Sequence, residues 1–377
     1  MSRRYRTAVI GFAHPHVNHV AGLFTKDARV EWAACADTAP LCPELRVVPY
    51  AREWNRDNVM RLTGAPRLYD DYREMLDRER LDLVIVNCEN AQHPDVVEAC
   101  ARAGASVCVE KPMASSLADA LRMQRACRAA GVSLIVNWPV TWLAHARKAG
   151  ELIEAGAIGR VLEIDYRVGS SGPFGPGAQH CGGVDRVAPM SGRERASVWL
   201  HQQAAGGGAM VDLCCYGAMY SCWFTGERAT AALGLKANLE SEWSDAEDNG
   251  VIVARFPRSI LVARGSWTTH GKNYLAAGPV VVYGSEGVLR FDVYTDNPVV
   301  RVEHPGEEVE THAPDPLPEG RHNTAAEFLH CLETGVRPHL TLTPEFNLAL
   351  LGVLDAGVRS AATGKLELVN DEAWSIG

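Results

Sequence analysis

After a short apolar run ending at Ile10, the chain reads Gly11, Phe12, Ala13, His14, Pro15, His16. A glycine-led turn between a strand and a helix is where backbone N–H groups of a doubly wound sheet receive the pyrophosphate of a dinucleotide. Only the first glycine of the usual three-glycine spacing is present, with Ala13 in the second place and His16 in the third. Asp37 lies 26 residues beyond Gly11, close to the spacing of the acid that hydrogen-bonds an adenosine ribose diol, and a carboxylate there repels a 2′-phosphate. These residues predict a dinucleotide site built on Gly11, Phe12, Ala13, His14, His16 and Asp37, with NAD favoured over NADP. The competing reading of Asp37 is a solvated turn residue ahead of Pro40. His14, His16 and His19 fall within six positions and invite a metal reading, but no carboxylate or cysteine completes a ligand set nearby in sequence. No metal is expected.

The elements that would position such a site follow from hydrophobic patterning. From Thr7 to Val136, short β-rich runs alternate with helical periods, as in a parallel sheet with crossover helices. Strands are predicted near 7–11, 30–36, 83–87, 106–109 and 133–137, and helices near 16–25, 72–76, 94–103 and 117–130. Leu83, Val84, Ile85 and Val86 are apolar on both faces, as strands covered by helices on each side must be. After Trp138 and Pro139 the texture changes. A helix over 142–155 and a strand over 161–168 lead into a Gly/Pro-rich loop from Gly169 to about Arg195, long enough to suggest a lid or binding loop. A helix over 209–224, then alternating segments over 251–256, 260–267, 280–283 and 288–293, read as an antiparallel sheet, and helices near 323–334 and 344–363 close the chain. The expected fold is α/β plus α+β: a doubly wound Rossmann domain over 1–138, then a domain over 139–377 with a large open, mostly antiparallel sheet and flanking helices, the last of which could pack back on the first domain.

Composition narrows the partners. The 377 residues carry a net charge of −9, and no basic block exceeds the cluster Arg3, Arg4, Arg6, so nucleic acid and anionic membrane are poor partners. Eleven scattered cysteines form no CxxC pair, and Cys35, Cys88, Cys100, Cys108 and Cys127 lie in apolar stretches, which suits free thiols in a reducing compartment. The run Ala8–Ala13 is broken by His14 and Pro15 and is too short for a signal-peptide core. No stretch of about 18 apolar residues could span a bilayer. A cytoplasmic protein is expected.

The fourth strand runs into Glu110, Lys111, Pro112, and here the sequence resembles the glucose–fructose oxidoreductase, inositol dehydrogenase and MocA family over nearly its whole length. Asn90 and His93 match the family's asparagine and histidine after strand three, although Cys88 and Glu89 replace its usual Thr-Pro. The segments Ala155, Gly156, Ala157, Ile158, Gly159 and Thr334, Gly335, Val336, Arg337, Pro338, with Glu327 and Phe328, also look like the family. The second signature, a glycine cluster followed by Asp and four residues later His, reads here Gly206, Gly207, Gly208, then Asp212 and Tyr216. Some branches of the family carry tyrosine at that place. The resemblance implies that Lys111 lies beside nicotinamide and substrate, that Asn90, His93 and Glu110 belong to the cofactor site, and that the substrate is a sugar or polyol.

Interconversion of an alcohol and a carbonyl needs a hydride site and a group to move the hydroxyl proton. Residues four apart on a helix share one face, so Asp212 and Tyr216 address one ligand. A free phenol, with a pKa near ~10, needs a positive neighbour to act at neutral pH. The expected assignment is Tyr216 as proton donor or acceptor, Lys111 lowering its pKa and holding the substrate oxygen, and Asp212 orienting a substrate hydroxyl or Lys111; the reverse, Lys111 as acid/base, is open. Sugar faces and hydroxyls suit aromatic and polar side chains. In the loop that also holds His180, Arg186, Arg193 and Gln203, Trp199 and His201 are therefore expected at the substrate, as are Asn137 and Trp138 at the end of strand five. The expected activity is NAD-dependent oxidation or reduction of a sugar, polyol or related cyclic alcohol. The alternatives are a glycosidase or lyase using transient oxidation, and a non-catalytic sugar or nucleotide sensor on the same scaffold. An open antiparallel sheet exposes one face that a second subunit can cover, which predicts a homodimer or homotetramer.

Overall fold

A computed structural model describes residues 3–175, 189–271 and 276–369. They form two compact units: one of residues 3–138, 189–207 and 319–344, the other of residues 139–175, 208–271, 276–318 and 345–369. The division after Trp138 falls where the sequence changes texture. Residues 189–207 and the helix Thr324–Thr334 group with the first unit. His180 and Arg186 lie outside the described residues.

The first unit is a six-stranded parallel sheet of β1 (Tyr5–Ile10), β2 (Val30–Ala36), β3 (Leu68–Tyr69), β4 (Leu83–Val86), β5 (Ser106–Glu110) and β6 (Leu134–Asn137) in the order β3-β2-β1-β4-β5-β6. β4, β5 and β6 are buried along their whole length, as the apolar runs of β4 and of Leu134, Ile135 and Val136 require. The strand order reverses between β1 and β4, and in such sheets ligands bind at that switch point, beyond the carboxyl ends of the strands. Helices Val17–Thr25, His93–Arg102 and Leu117–Ala130 match the predicted periods to within about two residues at each end. The helix Arg52–Thr63 and the short β3 were not anticipated. The helix buries Arg52, Asn55, Val59 and Thr63, a proper helical stripe in which only valine is strongly apolar, so hydrophobic periodicity could not reveal it.

The second unit is built on a ten-stranded sheet: β7 (Val161–Gly169), β8 (Ala231–Ala237), β9 (Asn249–Arg255), β10 (Ile260–Ser266), β11 (Ala276–Ala277), β12 (Pro279–Gly284), β13 (Val288–Asp292), β14 (Val300–Glu303), β15 (Glu310–His312) and β16 (Glu367–Leu368). Its order is β15-β14-β13-β12-β7-β10-β9-β8-β16, with β11 on β7, and among these pairs only β7 with β10 is parallel. β8, β11, β14, β15 and β16 were not anticipated because they are short or weakly alternating. The helix Ala209–Thr225 lies on β7, β9 and β10 and is buried around most of its circumference. Glycines make this approach possible: a Cβ at Gly217 would lie 2.7 Å from Ala263 Cβ, and one at Gly250 would lie 2.5 Å from Met210 Cβ. Among the described residues no helix is long and apolar enough to cross a membrane.

Candidate functional site

The turn after β1 is held in place from four sides. Gly11 has φ +86°, and a Cβ there would come within 2.5–2.7 Å of the Cys88 N, Cα and Cβ atoms, so this position admits only glycine. The N–H of Gly11 donates to Ala36 O at 3.0 Å, and that of His14 to Asn87 O at 3.1 Å. Asn55 Nδ2 donates to Phe12 O, and Trp199 Nε1 to Ala13 O, both at 2.9 Å. The helix Val17–Thr25 that follows has no acidic residue in its first turn. Its positive end therefore suits an anion.

His16, in the place of a third glycine, puts its Nδ1 2.8 Å from Glu110 Oε1. Glu110 Oε2 accepts from Asn137 Nδ2 at 2.8 Å, and Asn137 Oδ1 accepts from Thr324 Oγ1 at 2.6 Å. Burial alone would push the Glu110 carboxyl up; His16, Lys111 and Asn137 outweigh it and hold the group below the usual carboxylate range. His14, His16 and Glu110 offer ligand atoms within 4.8 Å of one another, a grouping that sequence distance concealed. As packed it is a hydrogen-bonded group. His14 Nδ1 accepts the His16 N–H at 3.1 Å, and a cation would have to break the His16–Glu110 bond.

Glu110 ends β5 and Lys111 follows it, 2% exposed, ahead of a cis peptide to Pro112. His93 is fully buried, its Nδ1 3.1 Å from Met113 O, and burial keeps its imidazole below the ordinary value, hence neutral near pH 7. It braces the loop that carries Lys111. Asn90 donates through Nδ2 to Gly206 O at 3.0 Å, while its Oδ1 is buried with no hydrogen-bond partner among the described residues. Asp37, just beyond β2, accepts from Arg52 Nη1 at 2.9 Å and from its neighbour Thr38 N–H at 2.8 Å.

In the second unit, Gly208 has φ +115°, and a Cβ there would collide with the Glu247 carboxylate. Glu247 caps the helix that begins at Ala209: its O accepts from Ala209 N at 2.9 Å, its Oε1 from Met210 N at 3.1 Å, and its Oε2 pairs with Lys236 Nζ at 3.2 Å. The cap sets the start of the helix on which Asp212, part-exposed, and Tyr216, 8% exposed, stand one turn apart. Tyr166 on β7 interacts with Tyr216, and burial pushes the Tyr166 phenol well up.

The same elements recur in known proteins. Residues 6–138 match the family model described as "Oxidoreductase family, NAD-binding Rossmann fold", and residues 146–290 match the "GFO/IDH/MocA C-terminal domain". The chain belongs to the GFO/IDH/MocA oxidoreductase family. A D-apiose dehydrogenase of Paraburkholderia graminis is 40% identical over 96 residues, a stretch spanning 26% of this chain and 26% of that protein. A 1,5-anhydro-D-fructose reductase of Ensifer adhaerens is 28% identical over 80% of this chain and 84% of its own. A D-xylose 1-dehydrogenase [NADP(+)] of Haloarcula marismortui is 23% identical over 72% and 70%. Among solved structures, the aldose-aldose oxidoreductase from Caulobacter crescentus complexed with glycerol superposes with a TM-score of 0.73 at 22% identity, covering 97% of this chain and 100% of that one. Levoglucosan dehydrogenase in complex with NADH and levoglucosan gives 0.69 at 19%, with 97% and 100% coverage. At these identities the superpositions show the fold.

Within this GFO/IDH/MocA protein the structure regroups the expected residues. His14, His16, Glu110 and Asn137 come together, as do Asp37 with Arg52, and Trp199 with Ala13 and, at 5.8 Å between rings, His14. Asn137, expected at the substrate, has its amide engaged by Glu110 and Thr324; Trp138 is fully buried. Trp199 braces the turn after β1, and His201 is 1% exposed. Sequence reasoning passed over Arg52, Asn55, Glu247 and Lys236. No motif marks them, and for Arg52 and Asn55 the one available signal was their i, i+3 spacing on a polar stripe.

Proposed function

We propose that this protein is an NAD(H)-dependent oxidoreductase that interconverts an alcohol and a carbonyl on a sugar, polyol or related cyclic alcohol. The observation that carries the reading is the buried pair Glu110 and Lys111 at the carboxyl end of β5, where a doubly wound sheet binds its ligand. The residues present fit a dinucleotide: Gly11 leaves room that a Cβ would fill, and Asn90 Oδ1 is a buried acceptor suited to a ribose hydroxyl. When bound, the nicotinamide supplies the hydride acceptor or donor.

The chain's own residues do the rest. Gly11, Phe12, Ala13, His14 and His16 form the pyrophosphate turn, and Asp37 takes the adenosine ribose, which favours NAD. Relatives differ on this point by their names, one carrying NADP(+) in its name and another solved with NADH. Glu110, kept ionised, orients His16 toward the anion, and His93 fixes the loop of Lys111. Tyr216 gives or takes the hydroxyl proton. Lys111 supplies the positive charge a phenolate requires and holds the substrate oxygen, and Asp212 orients a neighbouring hydroxyl.

The protein mixed with NAD and a panel of sugars and polyols should show the absorbance of reduced nicotinamide with one of them. Glycosidic cleavage without that signal would replace redox turnover by transient oxidation, and binding with neither reaction would leave a sensor.

A further inference from the structure

The helix Arg52–Thr63 delivers its first residue to the carboxyl ends of β2 and β4, where Arg52 is 8% exposed. Its Nη1 donates to Asp37 Oδ1 and to Thr38 O, each at 2.9 Å, and its Nη2 donates to Glu89 Oε2 at 2.6 Å. Its backbone N–H donates to Glu44 Oε2 at 2.9 Å. Three carboxyl groups therefore converge on Arg52, two of them on its guanidinium and Glu44 on its backbone N–H. Burial pushes the Glu44 carboxyl up to about 7 and also raises Asp37 against the pull of Arg52. The group carries surplus negative charge beside the position where Asp37 would meet an adenosine ribose.

A planar guanidinium suits a phosphate better than any other side chain does, and this one stands next to the ribose acid. Both of its terminal nitrogens are occupied by protein. We propose that coenzyme choice is set by a two-carboxylate lock on Arg52, in which Asp37 and Glu89 together withhold the guanidinium from a 2′-phosphate and make Glu89 a specificity residue in its own right. The inference rests on the reading of this crevice as a nicotinamide dinucleotide site. Asp37 alone accounts for a preference for the ribose diol. The geometry adds a second condition: without Asp37, Arg52 remains tied to Glu89 by the shorter of its two carboxylate contacts. A phosphomonoester brings roughly −1.5 to −2 charge, so it gains the arginine only when both acids are neutralised.

The test is calorimetric binding of NAD and NADP to the full chain and to Glu89→Gln, Asp37→Ser, Asp37→Ser/Glu89→Gln, and that double variant with Arg52→Met, each checked for cooperative unfolding. Asp37→Ser should weaken NAD about tenfold with little gain for NADP, and the added Glu89→Gln should tighten NADP by about tenfold or more, the size of one charge-assisted contact. Arg52→Met should then remove that gain. If Asp37→Ser binds NADP as tightly as the double variant, or if Arg52→Met changes nothing, the lock does not exist. Should that double variant fail to fold, the isosteric pair Asp37→Asn/Glu89→Gln carries the test against Asp37→Asn alone: it should shift the NADP-to-NAD ratio several-fold toward NADP, and an unchanged ratio overturns the proposal. Failure of the coenzyme reading looks different, since the unaltered chain would then bind neither dinucleotide.

Discussion

Glu110 Oε1 and His16 Nδ1 stand 2.8 Å apart although 94 residues separate them in the chain, so the histidine in the place of a third glycine is the partner of the acid that precedes Lys111. A fully buried carboxylate is tolerated only with such partners, and this one has His16, Asn137 and Lys111. Glu110→Gln keeps the shape and loses the charge. It should cost about 1–3 kcal/mol at neutral pH, the usual range for a buried polar group deprived of its match. Because the folded carboxyl is held below its ordinary value, its stabilisation is complete above about pH 4.3 and is lost as the pH falls through the lowered folded value. Urea unfolding at pH 7 and at pH 3 or below should show the gap between the two proteins narrowing in acid; a constant gap would mean that the charge is irrelevant.

His93 gives a dependence in a different window. Burial depresses its folded value, so as the pH drops below about 6.5 the unfolded chain takes up a proton that the folded chain refuses, and stability falls. His145 in the second unit is shifted the same way and contributes with the same sign. His93→Gln should reduce the loss of stability between pH 6.5 and 5 without abolishing it. An identical slope in the variant would show that His93 is protonated alike in both states.

Gly11 and Gly64 both have positive φ, at +86° and +62°, but of the two only Gly11 is hemmed in, by the Cys88 backbone just beyond β4. Gly64→Ala should cost about 1–2 kcal/mol, the price of the left-handed conformation. Gly11→Ala should cost more and abolish dinucleotide binding, because its Cβ has no room beside Cys88. Thermal unfolding and NAD titration of both variants check this, and equal behaviour would count against the close approach.

Lys111→Ala and Tyr216→Phe should each lower turnover by about 100-fold or more, the usual contribution of a positioned proton-transfer group. NAD affinity should change only a few-fold. If the two act on one proton, the double variant should be scarcely worse than either single one. Full additivity would place them in separate tasks.

One face of the second unit's sheet carries Leu233, Leu235, Val253 and Ile260, all exposed. If that face joins copies in a homodimer or homotetramer, Val253→Glu should shift sedimentation toward a monomer while leaving each chain folded. An unaltered protein that sediments as a monomer would dispose of it.

The parallel sheet was legible in the sequence because β4 and most of β6 are runs of apolar residues that no solvent-facing segment would tolerate, and the turn after β1 because a glycine stands where the strand gives way to a helix. The glycine cluster at 206–208 was legible as a pattern, but its reasons were not. They are the positions of Ser115, Asn90 and Glu247, remote in sequence, and of Leu200 in the turn just before. Equally hidden were the Glu110–His16 pair, the Asn137 amide committed to Thr324, and Arg52 between Asp37 and Glu89. Periodicity and spacing report what a residue does to its own helix or strand, whereas hydrogen bonds between distant side chains depend on where separate strands end. The sequence therefore determined the strongly patterned elements and which residue types could do chemistry, and tertiary structure alone decided which of them face one another. In a buried polar group that pairing settles the charge, because an unpaired ion in such surroundings is too costly to keep.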